Sequence, residues 1–108
     1  MTHPLPSSIT QYFAGKNIGD FETALSGFAP DAVVADESHS HQGREAIGAW
    51  MQDTHRRYRD MAEILSATVT EPITTVSARI SGNFPGSPIT LDFSFTLQDD
   101  RITRLEIA

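Results

Sequence analysis

An acid stands at the end of an apolar run. Ala32-Val33-Val34-Ala35 is followed by Asp36, then Glu37, His39 and His41. A short apolar run of this kind reads as a buried strand. An aspartate at its inner end would be partly desolvated, which raises its proton affinity and suits it to general-base work. The same residue can equally cap a turn. His39 and His41 are two apart, so on an extended segment they share a side with Glu37, and such a trio can form half of a metal site. Asp36 then falls on the opposite side, and His55 lies further on, in a helical stretch. The pair therefore reads as a polar turn or pocket rim, and neither a metal nor a cofactor is expected. Arg56, Arg57 and Arg59 are compact and fall in the last turn of a helix, where exposed carbonyls favour cations.

The elements that must hold these residues belong to one domain, 1–108. The chain is 39% hydrophobic, enough for one core. A net charge of −6 makes a nucleic acid a poor partner, and the arginine group lacks the broad basic surface and stacking aromatics that would offset it. The absence of cysteine excludes disulfides, thiolate metal sites and cysteine nucleophiles. No apolar run reaches the length of a membrane span. Met1-Thr2-His3-Pro4 lacks the basic start and apolar stretch of a signal peptide, so a cytoplasmic protein is expected.

The first half of the chain is helical in period. Ser8 and Gln11 have capping-box spacing, and Ile9, Tyr12 and Phe13 share a helical face that Gly15 to Gly19 should break. Asp20 is a candidate N-cap for a second short helix with Phe21, Ala24, Leu25 and Phe28 on its face, stopped before Pro30. After the strand and a polar turn to Gln42, Gly43 precedes a longer helix whose apolar stripe is Ile47, Trp50, Met51, Thr54 and Tyr58. Arg44 should pair with an acid near that helix start. The second half alternates with period two. Leu65, Ala67 and Val69, then Val76, Ala78 and Ile80, then Ile89 to Leu97 read as strands, with turns at Asn83-Phe84-Pro85-Gly86 and Asp99-Asp100 and a last strand from Ile102 to Ile107. Helices followed by a meander predict an α+β domain with helices on one side of an antiparallel sheet.

Gly19-Asp20, Phe28-Ala29-Pro30-Asp31-Ala32-Val33 and Gly43-Arg44-Glu45-Ala46-Ile47, in this element order, resemble the nuclear transport factor 2-like superfamily. The nearest flavour is the group of ketosteroid isomerase and the SnoaL-like polyketide cyclases. The resemblance covers the whole chain. It implies a cone-shaped, curved antiparallel sheet wrapped around a long helix with two short N-terminal helices, and a homodimer through the outer sheet face. It also implies a conical pocket for a small apolar molecule, lined here by Trp50, Met51, Phe93, Phe95, His39 and Phe28.

Carried over residue by residue, the resemblance makes Asp36 the general base and Tyr12 the oxyanion-binding phenol. The family's second oxyanion donor, a protonated aspartate, aligns near Phe93 or Asp92. Alternation puts Phe93 inside with Leu91, Phe95 and Leu97 and turns Asp92 away, so that donor is expected to be missing. A single-residue register change would exchange Asp36 for Glu37. Two functions follow from these residues. One is a small cofactor-independent isomerase, cyclase or dehydratase acting on a carbonyl-bearing molecule. The other is a non-catalytic ligand-binding or dimerisation module of the same fold.

Overall fold

Period-3.6 and period-two patterning resolve into helices packed on one sheet. The computed structural model describes residues 5–36 and 39–108. The first helix, α1, spans Ser7–Ile18 and runs through Gly15 instead of breaking there. Gly15 is required by packing: a Cβ at this position would lie 2.6 Å from the backbone of Ala24 and Asp20. The helix stops at Gly19, whose φ of 78° is a left-handed cap. No side chain caps its start; Pro6 occupies the cap position and Ser8 is buried.

Asp20 does cap α2 (Phe21–Leu25), accepting the Thr23 N–H at 3.2 Å. Phe28 is not on that helix. It opens strand β1 (Phe28–Asp36), and Pro30 lies within the strand, where the pairing register shifts between Phe28 and Val33. A missing N–H is tolerated at such an irregularity. The polar stretch expected as a turn contributes a strand of its own, β2 (His39–Gln42), antiparallel to β1. Gly43, at φ 88°, leads into α3 (Arg44–Tyr58).

The meander follows as β3 (Met61–Thr70), β4 (Ile73–Ser81), β5 (Ile89–Gln98) and β6 (Arg101–Ile107). Asp99 and Asp100 both have positive φ, 53° and 63°, as a two-residue hairpin turn demands. The strand order is β2-β1-β6-β5-β4-β3 in one curved, unclosed sheet. It is not wholly antiparallel, because β1 and β6 run parallel. Alternation is the same in both pairings, and no short turn joins these two strands, so nothing local reveals their relative direction.

Tyr12 and Phe13 of α1 meet Phe28, Phe93 and Phe95 of the sheet in the middle of the core. The Tyr12 ring sits 5.8 Å from Phe28 and 5.6 Å from Phe95, both edge to face. Ile47 and Met51 bury α3 on the same core, together with Val34, Val76, Ile102 and Leu105. Among the described residues no helix is long and apolar enough to cross a membrane.

Candidate functional site

A cavity of about 490 Å³ opens between α1, α3 and the sheet. Met51, Ile80, Leu91, Phe93 and Ile107 make its apolar wall, while Tyr12, Lys16, Asp36, His55 and Asp60 bring polar groups to it. The two candidate catalytic residues come from elements far apart in sequence, brought together by the packing of α1 under the sheet.

Asp36 ends β1, paired with His39 of β2 and with Ile107 of β6. Trp50 of α3 donates its indole N–H to Asp36 Oδ2 at 3.3 Å. The same indole stacks on His41, with ring centroids 5.7 Å apart and planes inclined by 27°. One side chain therefore links the carboxylate to the neighbouring strand. Asp36 does not lie opposite the two histidines. Cross-strand partners share a face, so Asp36 with His39 and Val34 with His41 all point to one side of the hairpin. The extended-segment count assumed one continuous strand, whereas the histidines sit on a second strand with its own register. Among the described residues no group of three or more His, Asp or Glu is arranged to hold a metal ion. Glu37, the alternative to Asp36, lies outside the described residues.

Tyr12 lines the cavity and is fully buried, which puts it at the closed end. Its hydroxyl has no hydrogen-bond partner among the described residues. Burial, and then the carboxylates of Asp60 and Asp36, push this phenol above the ordinary tyrosine range. It therefore stays protonated and can only donate or accept as a neutral group.

Two further groups escaped the sequence reading. Lys16 stands one turn after Tyr12 on α1, and its Nζ contacts Asp60 Oδ2 at 2.9 Å, with each side chain only 10% exposed. The signal was available in part: Tyr12 and Lys16 are at i and i+4, which puts them on one helical face. Asp60 gave none, since it follows Arg59 in a polar stretch that reads as a loop. Asn17 fixes this corner. Its side-chain amide donates to the Ala62 carbonyl at 2.9 Å and accepts the Ala62 N–H at 2.8 Å, which ties α1 to the start of β3. Replacing Asn17 with alanine removes both bonds and leaves partly buried backbone groups unpaired. A loss of about 1–3 kcal/mol in chemical denaturation is expected.

Of the other residues proposed for the pocket, Trp50, Met51, Phe93 and His39 lie on the cavity. Phe28 and Phe95 do not; both are fully buried in the core beneath it, packed on Tyr12. Alternation identified the inward face of β5 but not the depth at which core gives way to cavity, and that change falls between Phe95 and Phe93. Asp92 is exposed on the other face, so a phenyl ring stands where the family's second oxyanion donor is expected. Among the described residues Arg44 meets no acid; its guanidinium donates to the Phe28 carbonyl, 2.9 Å from Nε. Arg56 and Arg57 pair along α3 with Asp53, at 3.7 and 3.3 Å.

The model of the SnoaL-like domain matches residues 9–105. The chain belongs to the SnoaL-like family. Among solved structures, a protein of Sinorhizobium meliloti described as a suggested polyketide cyclase is 44% identical, with a TM-score of 0.93 over 96% of this chain and 95% of that one. A nuclear transport factor 2-like protein of unknown function from Cytophaga hutchinsonii is 14% identical, with a TM-score of 0.80, over 100% and 93%. A protein of Catenulispora acidiphila with a ketosteroid isomerase-like fold, solved with trimethylamine, is 20% identical, with a TM-score of 0.84, over 97% and 86%. The last two show that the SnoaL-like chain shares their fold. No curated protein sequence matches it.

Proposed function

We propose that this SnoaL-like protein is an acid–base enzyme of the isomerase, cyclase or dehydratase type, acting on an apolar, carbonyl-bearing small molecule. Asp36 takes a proton from the carbon next to the carbonyl. The electron pair of that C–H bond moves to the carbonyl oxygen, and the resulting enolate oxygen accepts a hydrogen bond from Tyr12. Asp36 then returns the proton at a second carbon, or the enolate carbon attacks another carbonyl of the same molecule, whose π pair moves to its oxygen; that oxygen takes the proton from Asp36 as the ring closes. The observation that carries this reading is the pairing, on one largely apolar cavity, of a carboxylate steadied by an indole N–H with a buried phenol that has no hydrogen-bond partner among the described residues. The Sinorhizobium meliloti relative, itself described as a suggested polyketide cyclase, supports the same class. The test is proton–deuterium exchange of enolisable ketones by the wild type and by Asp36→Asn, followed by NMR.

One observation favours association through the sheet, in keeping with a dimerisation module as well as with a dimeric enzyme. Met61, Ile64, Leu65 and Val69 of β3 are all 41% or more exposed, with Ile73 and Ile89 exposed on the strands beyond. A homodimer in light scattering is expected, and Leu65→Glu should convert it to monomer. A monomeric wild type would remove the dimer from this reading.

A further inference from the structure

The ion pair at the closed end of the cavity has no part in the reaction so far. Lys16 and Asp60 both line the cavity beside Tyr12, and each is nine-tenths buried. Their position is built. Asn17 clamps Ala62 just beyond Asp60, and a Cβ on Gly82 would come within 3.1 Å of the Asp60 Cα, so the backbone there is closely packed. A buried pair is poor evidence for stability, since desolvating two charges offsets most of their attraction. A role in binding is the better account of its placement. An ammonium carries three N–H donors, and Asp60 is the acceptor that Lys16 has among the described residues. The remaining donors belong to a side chain on the cavity wall, one helical turn from a phenol that has no hydrogen-bond partner among the described residues.

We propose that Lys16 is the second oxyanion donor of this site, acting with Tyr12 on the enolate oxygen, in place of the family aspartate whose position Phe93 fills. This inference rests on the enolate-forming reading above. Asp60 holds the ammonium in place and tempers its charge. The substrate class narrows accordingly. Carbonyl compounds whose enolates are well delocalised suit a site that offers one charged and one neutral donor, and an aromatic naphtholate has the same oxyanion chemistry.

The test uses 2-naphthol as probe and does not depend on turnover. Absorbance and fluorescence report the ionised fraction of the bound naphthol as pH is varied. In the wild type, bound naphthol should be at least about tenfold more ionised than free naphthol at the same pH, one pH unit in its apparent pKa. Lys16→Met should abolish that gain. Asp60→Asn, which keeps the ammonium and removes the opposing charge, should increase it. The double variant Lys16→Met/Asp60→Asn leaves no unpaired buried charge, so it serves as the second test if the single lysine variant fails to fold, and it too should lose the gain. Failure of the wild type to bind or ionise the probe overturns the proposal, as does an Asp60→Asn effect in the same direction as Lys16→Met. Asp36→Asn separates the two ideas. If that variant keeps full turnover while Lys16 still governs naphthol ionisation, the base assignment fails and the oxyanion donor stands.

Discussion

Asp36→Asn is expected to lower turnover by about 10²–10⁴-fold, the usual contribution of a positioned general base. The substitution is nearly isosteric. An amide oxygen can still accept the Trp50 N–H that Asp36 Oδ2 accepts at 3.3 Å, so the indole and the His41 ring stacked on it keep their places. What is lost is the ability to take a proton from carbon. Substrate binding should therefore change little, and the thermal unfolding of the variant should stay close to that of the wild type. A fall in kcat with KM nearly unchanged is the pattern of an interaction made in the transition state. Full activity in Asp36→Asn would remove Asp36 as the general base, whereas no exchange of any enolisable ketone by the wild type would favour the binding-module reading.

Tyr12→Phe should separate activity from stability. Loss of one oxyanion donor is expected to cost about 10²–10³-fold in kcat. The ring contacts with Phe13, Phe28 and Phe95 survive, and the hydroxyl removed is buried with no hydrogen-bond partner among the described residues. An unpaired buried polar group costs about 1–3 kcal/mol, so the variant should be as stable as the wild type or more so. A tyrosine serving only as core filling would show no loss of activity. Alkaline pH gives a second reading. The folded state holds the Tyr12 proton more tightly than the unfolded chain does, mainly through burial, then through Asp60 and Asp36. Its contribution is complete below about pH 10, the ordinary phenol value, and is lost as pH rises beyond it, by about 1.4 kcal/mol per pH unit. Tyr12→Phe lacks this term. Urea unfolding from pH 9 to 11 should show the wild type losing stability faster than the variant, and parallel curves would contradict the burial of a protonated phenol.

The strong periodic segments were readable because each buries one face. Ile47 and Met51 on α3, and Phe93 and Phe95 on β5, announce their elements by spacing alone. Asp36 is singled out by the resemblance, because from spacing alone an acid after an apolar run can equally cap a turn; the fold puts it on the cavity. The failures have physical causes. Gly15 looked like a breaker, but its role is the close approach of α2, a tertiary fact with no local signature. The spacing puts Asp36 and the two histidines on opposite sides because β2 does not look like a strand; its residues His39–Gln42 are polar, mostly exposed, and paired only at the sheet edge. Phe95 falls among the pocket residues because alternation reports a side and not a depth; Phe28, read on the face of the second helix, instead opens β1 and is buried in the core. Lys16 and Asp60 are 44 positions apart, and only the packed structure brings them together.

The parallel seam between β1 and β6 bears on how the protein acquires its interior. The meander from β3 to β6 closes over short turns, so its hairpins need little loop-closure entropy. Val33 must instead find Arg104, with most of the chain between them. Contacts of such high sequence separation are slow to form, because their loop-closure entropy must be met before they stabilise anything. The cavity takes Asp36 from one side of that seam and Phe93 and Ile107 from the other, so it exists only after the last docking event. A molecule that occupies it grips a feature absent from the folding transition state. Its signature is therefore kinetic: bound ligand retards the unfolding limb and leaves the rate of folding untouched.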